Sequence, residues 1–190
     1  MDKKGQLKAL HEKWLNECTC ELKKTATQGV PGDGSAYAQI IFIGEAPGAK
    51  EDKEGRPFIG AAGKFLAEML ESIKMKREGV YITNIVKYRP PENRDPLPEE
   101  ISACAPWLAE EIKIIDPQLI VFLGRHAMNH YFPKEKISEV HGKVIIATLF
   151  GKRQKFLPLY HPAAALYNGS MREVLKEDFK KIPKILSEIK

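Results

Sequence analysis

Four short apolar runs, Ile40 to Ile43, Val80 to Thr83, Leu119 to Leu123 and Phe156 to Leu159, set the tightest limit on how this chain can fold. Each has the length of a strand buried on both faces, and the stretches between them carry helical periodicity. Phe65, Leu66, Met69, Leu70 and Ile73 form one apolar stripe. Ile101, Cys104, Ala105, Leu108, Ile112 and Ile115 form a second, opened by Pro96 or Pro98 and by Glu99 and Glu100 in the first turn. Ahead of the first run, Leu7, Leu10, Trp14 and Cys18 recur at spacings of three and four, as on an amphipathic helix. After the last run, Ser170 to Glu173 fits a capping box. Leu175, Phe179, Ile182, Leu186 and Ile189 then continue a helical face past an expected kink at Pro183. Strand alternating with helix predicts an α/β fold with a mostly parallel sheet covered on both sides. Val144 to Leu149 adds a further strand or a hairpin.

The 190 residues, 43% of them hydrophobic, fill one sizeable core, so residues 1–190 read as a single domain. The 29% of charged residues excludes a disordered chain or a disulfide-dense mini-protein. The apolar runs are too short to span a bilayer, and neither a signal peptide nor a membrane anchor is expected. Three cysteines without an export signal predict reduced thiols in the cytoplasm. A net charge of +5 favours a polyanion only if the excess gathers on one face.

In folds of this class ligands bind beyond the carboxyl ends of the strands, which directs attention to four loops. The first runs from Gly44-Glu45-Ala46-Pro47-Gly48 through Glu51-Asp52 to Gly55-Arg56-Pro57-Phe58-Ile59-Gly60. The second starts at Asn84 and passes through Lys87, Arg89, Pro90, Pro91, Asn93 and Arg94; a third follows Leu123; the fourth is Tyr160-His161-Pro162-Ala163-Ala164. A phosphate-binding P-loop over Phe58 to Phe65 fails at both ends, because Phe58 replaces the first glycine and Phe65 offers no hydroxyl. His126 and His130, four apart on an expected helix, are half a metal site with no further ligand in view, so no metal is assigned to them.

Taken together, in this order and spacing, these loops resemble the family 4 uracil-DNA glycosylases, over nearly the whole chain from Cys18 to the helix after His161. The resemblance implies a three-layer α/β/α sandwich with a central four-stranded parallel sheet. It implies an enzyme of base-excision repair that flips uracil out of DNA and hydrolyses its N-glycosidic bond, leaving an abasic site. Phe58 then supplies the stacking face. The Asn84 amide accepts from N3–H of uracil and donates to O4, a pattern cytosine does not match. His161 donates to O2 as charge develops on the departing base. Glu45 is the best placed carboxylate to position water or steady the sugar cation, with Glu51 and Asp52 as competitors. Glu51 is implied to line the pocket near C5 of the base, and Ala46 to add a backbone N–H. Each residue alone would as readily be structural; the joint match decides.

Lys87, Arg89, Arg94 and Arg125 are expected to meet phosphates on the pocket rim, with His126 beside them, and Leu166 to be the wedge that fills the gap left by the flipped base. Tyr167 stands where relatives often carry Arg. The expected partner is uracil-containing DNA, single- or double-stranded, with no membrane and a monomeric enzyme.

The family commonly holds a [4Fe–4S] cluster on four cysteines. Here Cys20 and Cys104 keep two of those positions, Glu17 stands at another with Cys18 one residue off, and Tyr88 occupies the remaining one. Three thiols fall short of the usual four, so no cofactor is expected, with packing by Tyr88 and its neighbours in the cluster's place. Two other readings are a non-catalytic DNA-binding or polymerase-associated module and a self-trapping glycosylase. The first needs no such set as Glu45, Phe58, Asn84 and His161. The second uses a histidine in an insertion that Gly60 to Leu70 lacks.

Overall fold

Alternate residues of the apolar runs face opposite sides of one sheet, and this parity sorts the helices into two layers. The computed structural model describes residues 1–188. Its strands are β1 (Asp33–Gly34), β2 (Ile40–Gly44), β3 (Tyr81–Asn84), β4 (Leu119–Leu123), β5 (Ile145–Leu149) and β6 (Lys152–Leu159). Ile40 and Phe42 of β2, Leu119, Val121 and Leu123 of β4 and Leu157 and Leu159 of β6 enter one core. There they meet α3 (Ala61–Ser72), α8 (Gly169–Lys180) and α9 (Ile182–Ser187). Ile41, Ile43, Ile120, Phe122 and Phe156 point the other way, toward α1 (Lys3–Glu17), α4 (Pro98–Ile115) and α5 (Arg125–Tyr131). Three short helices, α2 (Ala49–Glu54), α6 (Ile137–Val140) and α7 (Ala164–Tyr167), lie in the connections.

The expectation of a four-stranded parallel sheet is corrected. The sheet has six strands in the order β1-β3-β2-β4-β6-β5 and is mixed: neighbours from β3 to β6 run parallel, while β1 and β5 pair antiparallel at the edges. The physical reason differs at each edge. β1 is two residues, Asp33 and Gly34, held by pairing with Ile82 and Tyr81 rather than by any apolar run. β5 joins β6 in a hairpin whose turn, Phe150 and Gly151, adopts left-handed backbone at φ 50° and 77°.

Two helix signals also resolve differently. Asn168, not Ser170, caps α8 by accepting from the Ser170 backbone N–H at 3.0 Å. The expected kink at Pro183 is a break, with α8 ending at Lys180 and Pro183 opening α9. Ile189 lies outside the described residues. A third cluster, set behind the second loop, packs Leu10 and Trp14 of α1 with Cys18, Cys20, Tyr88 and Cys104. No helix among the described residues is long and apolar enough to cross a membrane.

Phe42, fully buried in the middle of β2, stacks on Phe179 of α8 with ring centroids 5.9 Å apart. Phe42→Ala should therefore lower stability by about 3–5 kcal/mol, read from the midpoint of denaturant unfolding at unchanged slope.

Candidate active site

The loops after β2, β3 and β6 converge on a cavity of about 350 Å³, lined by Glu45, Ala46, Glu51, Phe58, Asn84 and His161 together with Pro90, Asn93 and Arg94. Asn84 closes β3 and is 2% exposed. Its side-chain oxygen Oδ1 is buried with no hydrogen-bond partner, an arrangement proteins normally avoid. Gly44, opposite it at the end of β2, allows the approach. A Cβ there would stand 2.5 Å from Asn84 Oδ1 and 2.6 Å from the tip of the Phe58 ring.

Phe58 sits at φ 52°, a left-handed conformation that costs a bulky residue energy and needs support from its surroundings. Arg77 supplies part of it, donating from Nη1 to the Phe58 carbonyl at 3.1 Å and from Nη2 to that of Pro57. Gly63 supplies more, since a Cβ at that point of α3 would lie 1.9 Å from the Phe58 carbonyl oxygen. Glu51 lines the cavity, but its Oε1 accepts from the backbone N–H groups of Ile59 and Gly60 at 2.9 and 2.8 Å, bracing the same turn. Asp52 is buried away from the cavity, accepting from Thr27 N–H and Oγ1–H at 2.9 and 2.7 Å, so it no longer competes with Glu45. Arg77 was missed by sequence reasoning; nothing in the spacing of a lone arginine near a strand start marks it.

The His161 ring lies 5.7 Å from that of Phe58, tilted by 32°. Burial of the ring pushes its pKa down to about 4, so the imidazole is neutral at physiological pH. Its Nδ1 accepts from the Ala163 backbone N–H at 3.1 Å, which leaves the ring proton on Nε2. The result is a neutral donor of fixed tautomer. Glu45 follows Gly44 at the end of β2; burial raises its carboxyl pKa, and His126 and Arg125 act against that rise.

Lys87 corrects the expected rim. It is fully buried, donating to Thr83 Oγ1 and Glu111 Oε2 at 2.6 Å each and to the Asn84 carbonyl at 3.2 Å. Glu111, on α4, also accepts from Tyr81 and Thr83, and His11 Nε2 lies 3.3 Å away. Burial alone would raise the Glu111 carboxyl, yet Lys87 and His11 hold it down to about 2. Lys87 therefore meets no phosphate; it fixes the backbone of Asn84 from below. The other residues expected on the rim are accessible to differing degrees. Arg94 and Arg125 are exposed and Arg89 is half-exposed. Arg94 forms a two-pronged ion pair with Glu100 at 2.6 and 2.9 Å. Leu166 and Tyr167, at the end of α7, are 40% and 92% exposed.

The three cysteines are free and buried, and Cys18, expected out of place, joins Cys20 and Cys104. Hydrogen bonding with Cys104 lowers the Cys18 thiol to about 6, while Cys104 is raised by the same partnership. Tyr88 faces all three, its hydroxyl buried and unpartnered. Burial and the neighbouring thiols push the phenol well above its ordinary pKa, which opposes a phenolate ligand. This donor set does not fit a cluster that needs four thiolates.

The family model described as the uracil DNA glycosylase superfamily matches residues 31–187. The chain is 48% identical over 182 residues to a type-4 uracil-DNA glycosylase of Sulfurisphaera tokodaii, covering 93% of this chain and 83% of that protein. It is 51% identical over 168 residues to that of Archaeoglobus fulgidus, with 86% and 84% covered. The corresponding figures for the Thermotoga maritima enzyme are 44% over 172 residues, with 88% of each covered. The chain therefore belongs to the type-4 uracil-DNA glycosylases of that superfamily.

Two expected outcomes follow from the buried residues. Lys87→Ala should cost about 3–5 kcal/mol of stability by stranding Glu111, without changing the salt dependence of DNA binding; a phosphate ligand would reduce that slope by about one. Protein purified without oxygen should be colourless, and iron and acid-labile sulfide assays should find no stoichiometric cluster. About four irons per chain would refute this.

Proposed function

We propose that this type-4 uracil-DNA glycosylase draws uracil from DNA into the cavity at the sheet's carboxyl edge and divides the hydrolysis among four side chains. The observation that carries the reading is the Asn84 oxygen, buried and unpartnered at the mouth of β3. An acceptor left without a donor inside a protein is costly unless a ligand supplies one, and uracil N3–H is such a donor. Cytosine presents an acceptor at N3 and would leave the pair repulsive.

Phe58 stacks on the flipped base, and the braces on its turn keep the ring in place before the base arrives. His161 donates from Nε2 toward O2, and its value lies in the transition state, where the departing base becomes an anion. A neutral donor suits this step, because it gives up no proton and forms no ion pair with the substrate beforehand. Glu45 accepts a proton from the attacking water or steadies the cationic sugar. Glu51 shapes the wall near C5 by holding the Ile59–Gly60 turn. Arg89, Arg94 and Arg125 take the phosphates, with Arg94 exchanging Glu100 for DNA, and Leu166 fills the vacated stack. The enzyme works as a single domain over 1–190 and as a monomer in the cytoplasm, on uracil in single- or double-stranded DNA.

Asn84→Ala should slow single-turnover excision of uracil by at least about 10²-fold, since the pocket then lacks its partner for N3–H. Excision at the wild-type rate would remove Asn84 from the site. His161→Ala should cost about 10²–10³-fold in the same assay, the loss of one aimed donor, with DNA affinity within about threefold. Imidazole NMR shifts of His161 should show the neutral Nε2–H form throughout the range where an ordinary histidine titrates; a protonated ring near neutral pH would contradict the donor assignment. If the wild-type chain excised nothing from either strand form, a DNA-binding module would be the better reading.

A further inference from the structure

Glu45 is the pocket carboxylate assigned above to the water, yet its surroundings disfavour its charge. It is half-buried, its carboxylate accepts no hydrogen bond among the described residues, and burial pushes it toward the protonated form, which cannot take a proton from water. Three ionisable side chains face it. His126 and Arg125, at the start of α5, favour the carboxylate, and Asp95, ahead of α4, opposes it. Across the cavity His161 is neutral down to about pH 4.

His126 is the centre of this group. Its Nε2 lies 3.7 Å from Glu45 Oε2 and 3.3 Å from Asp95 Oδ2, while Arg125 Nε points at the same nitrogen from 3.0 Å. One imidazole nitrogen therefore stands between a guanidinium and two carboxylates. It accepts from Arg125 only when unprotonated, and donates to the carboxylates only when protonated. Arg125 is exposed on the rim, so its guanidinium is free of any packing that would lock it onto this nitrogen. The ligand atoms of Glu45, Asp95 and His126 lie within 4.8 Å of one another, a spacing that would also suit a cation, but the guanidinium aimed at the shared nitrogen opposes one.

We propose that His126, backed by Asp95, is a positioning residue that keeps the Glu45 carboxylate charged and aimed into the cavity. The proposal rests on the assignment of the water to Glu45; His126 itself breaks no bond. It predicts that the wild-type enzyme loses rate on acidification through one limb that belongs to Glu45.

The test is single-turnover excision of a uracil-containing single-stranded oligonucleotide between about pH 4.5 and 8, for wild type, Glu45→Gln, His126→Gln and His126→Lys. Glu45→Gln should be slow throughout and lack the limb. His126→Gln should keep a plateau within about threefold of wild type but shift the limb upward by about one unit, making it about tenfold slower on the acid side. His126→Lys, a permanent cation, should return the limb to the wild-type position or below. A limb that stays in place in His126→Gln, or a loss equal at every pH, overturns the proposal while leaving Glu45 in its role. A Glu45→Gln variant that keeps both rate and limb overturns the Glu45 assignment itself, and the proposal with it.

Discussion

The ion pair between Lys87 and Glu111, buried beneath the pocket, is the constraint on which the site depends. A buried pair gains little net energy over an apolar alternative, but removing one partner leaves a charge without compensation. Here the pair gathers β3, α4 and α1 around one carboxylate, through Tyr81, Thr83 and His11. Lys87 also holds the Asn84 carbonyl, so a side chain buried in the core sets where that residue stands in the cavity wall. The geometry of the pocket is thus built from the core outward.

Above that frame the pocket is shaped by strained and unpartnered groups. The left-handed turn at Phe58 persists because Arg77, Glu51 and Gly63 each hold part of it. His161 is kept neutral by burial and fixed in tautomer by Ala163 N–H, and Asn84 Oδ1 is left without a partner. Of these, the unpartnered Asn84 oxygen is the group whose cost in the free protein a ligand carrying a hydrogen-bond donor would offset, as proposed above for uracil N3–H.

Much of this was legible in the amino-acid sequence, for reasons that can be named. The strands that carry the site are dense apolar runs, and burial on both faces leaves them no other use; the loops after them hold Glu45, Phe58, Asn84 and His161 in an order that resembles a known family. The two edge strands differ in this respect. β1 has no apolar pattern: its two residues are held by backbone pairing and by ion pairs of Asp33 with Arg56 and Arg77, whereas β5, expected as a strand or hairpin over Val144 to Leu149, alternates half-buried with exposed residues, as an edge does. Lys87 was misplaced on the rim because a lysine three residues past a strand end looks solvated until its partner, twenty-four positions away on a helix, is known. Cys18 joins its cluster despite its shifted register because it ends α1, where the chain turns inward.

The central claim is that a buried, unpartnered amide oxygen selects uracil through its N3–H. The most direct measurement compares single-turnover excision of uracil with that of 3-methyluracil in the same oligonucleotide, where the methyl group removes the donor. The account predicts that methylation slows excision by at least about 10²-fold, as expected when a site built to hydrogen-bond loses its partner. Excision of the methylated base within a few-fold of uracil would contradict it.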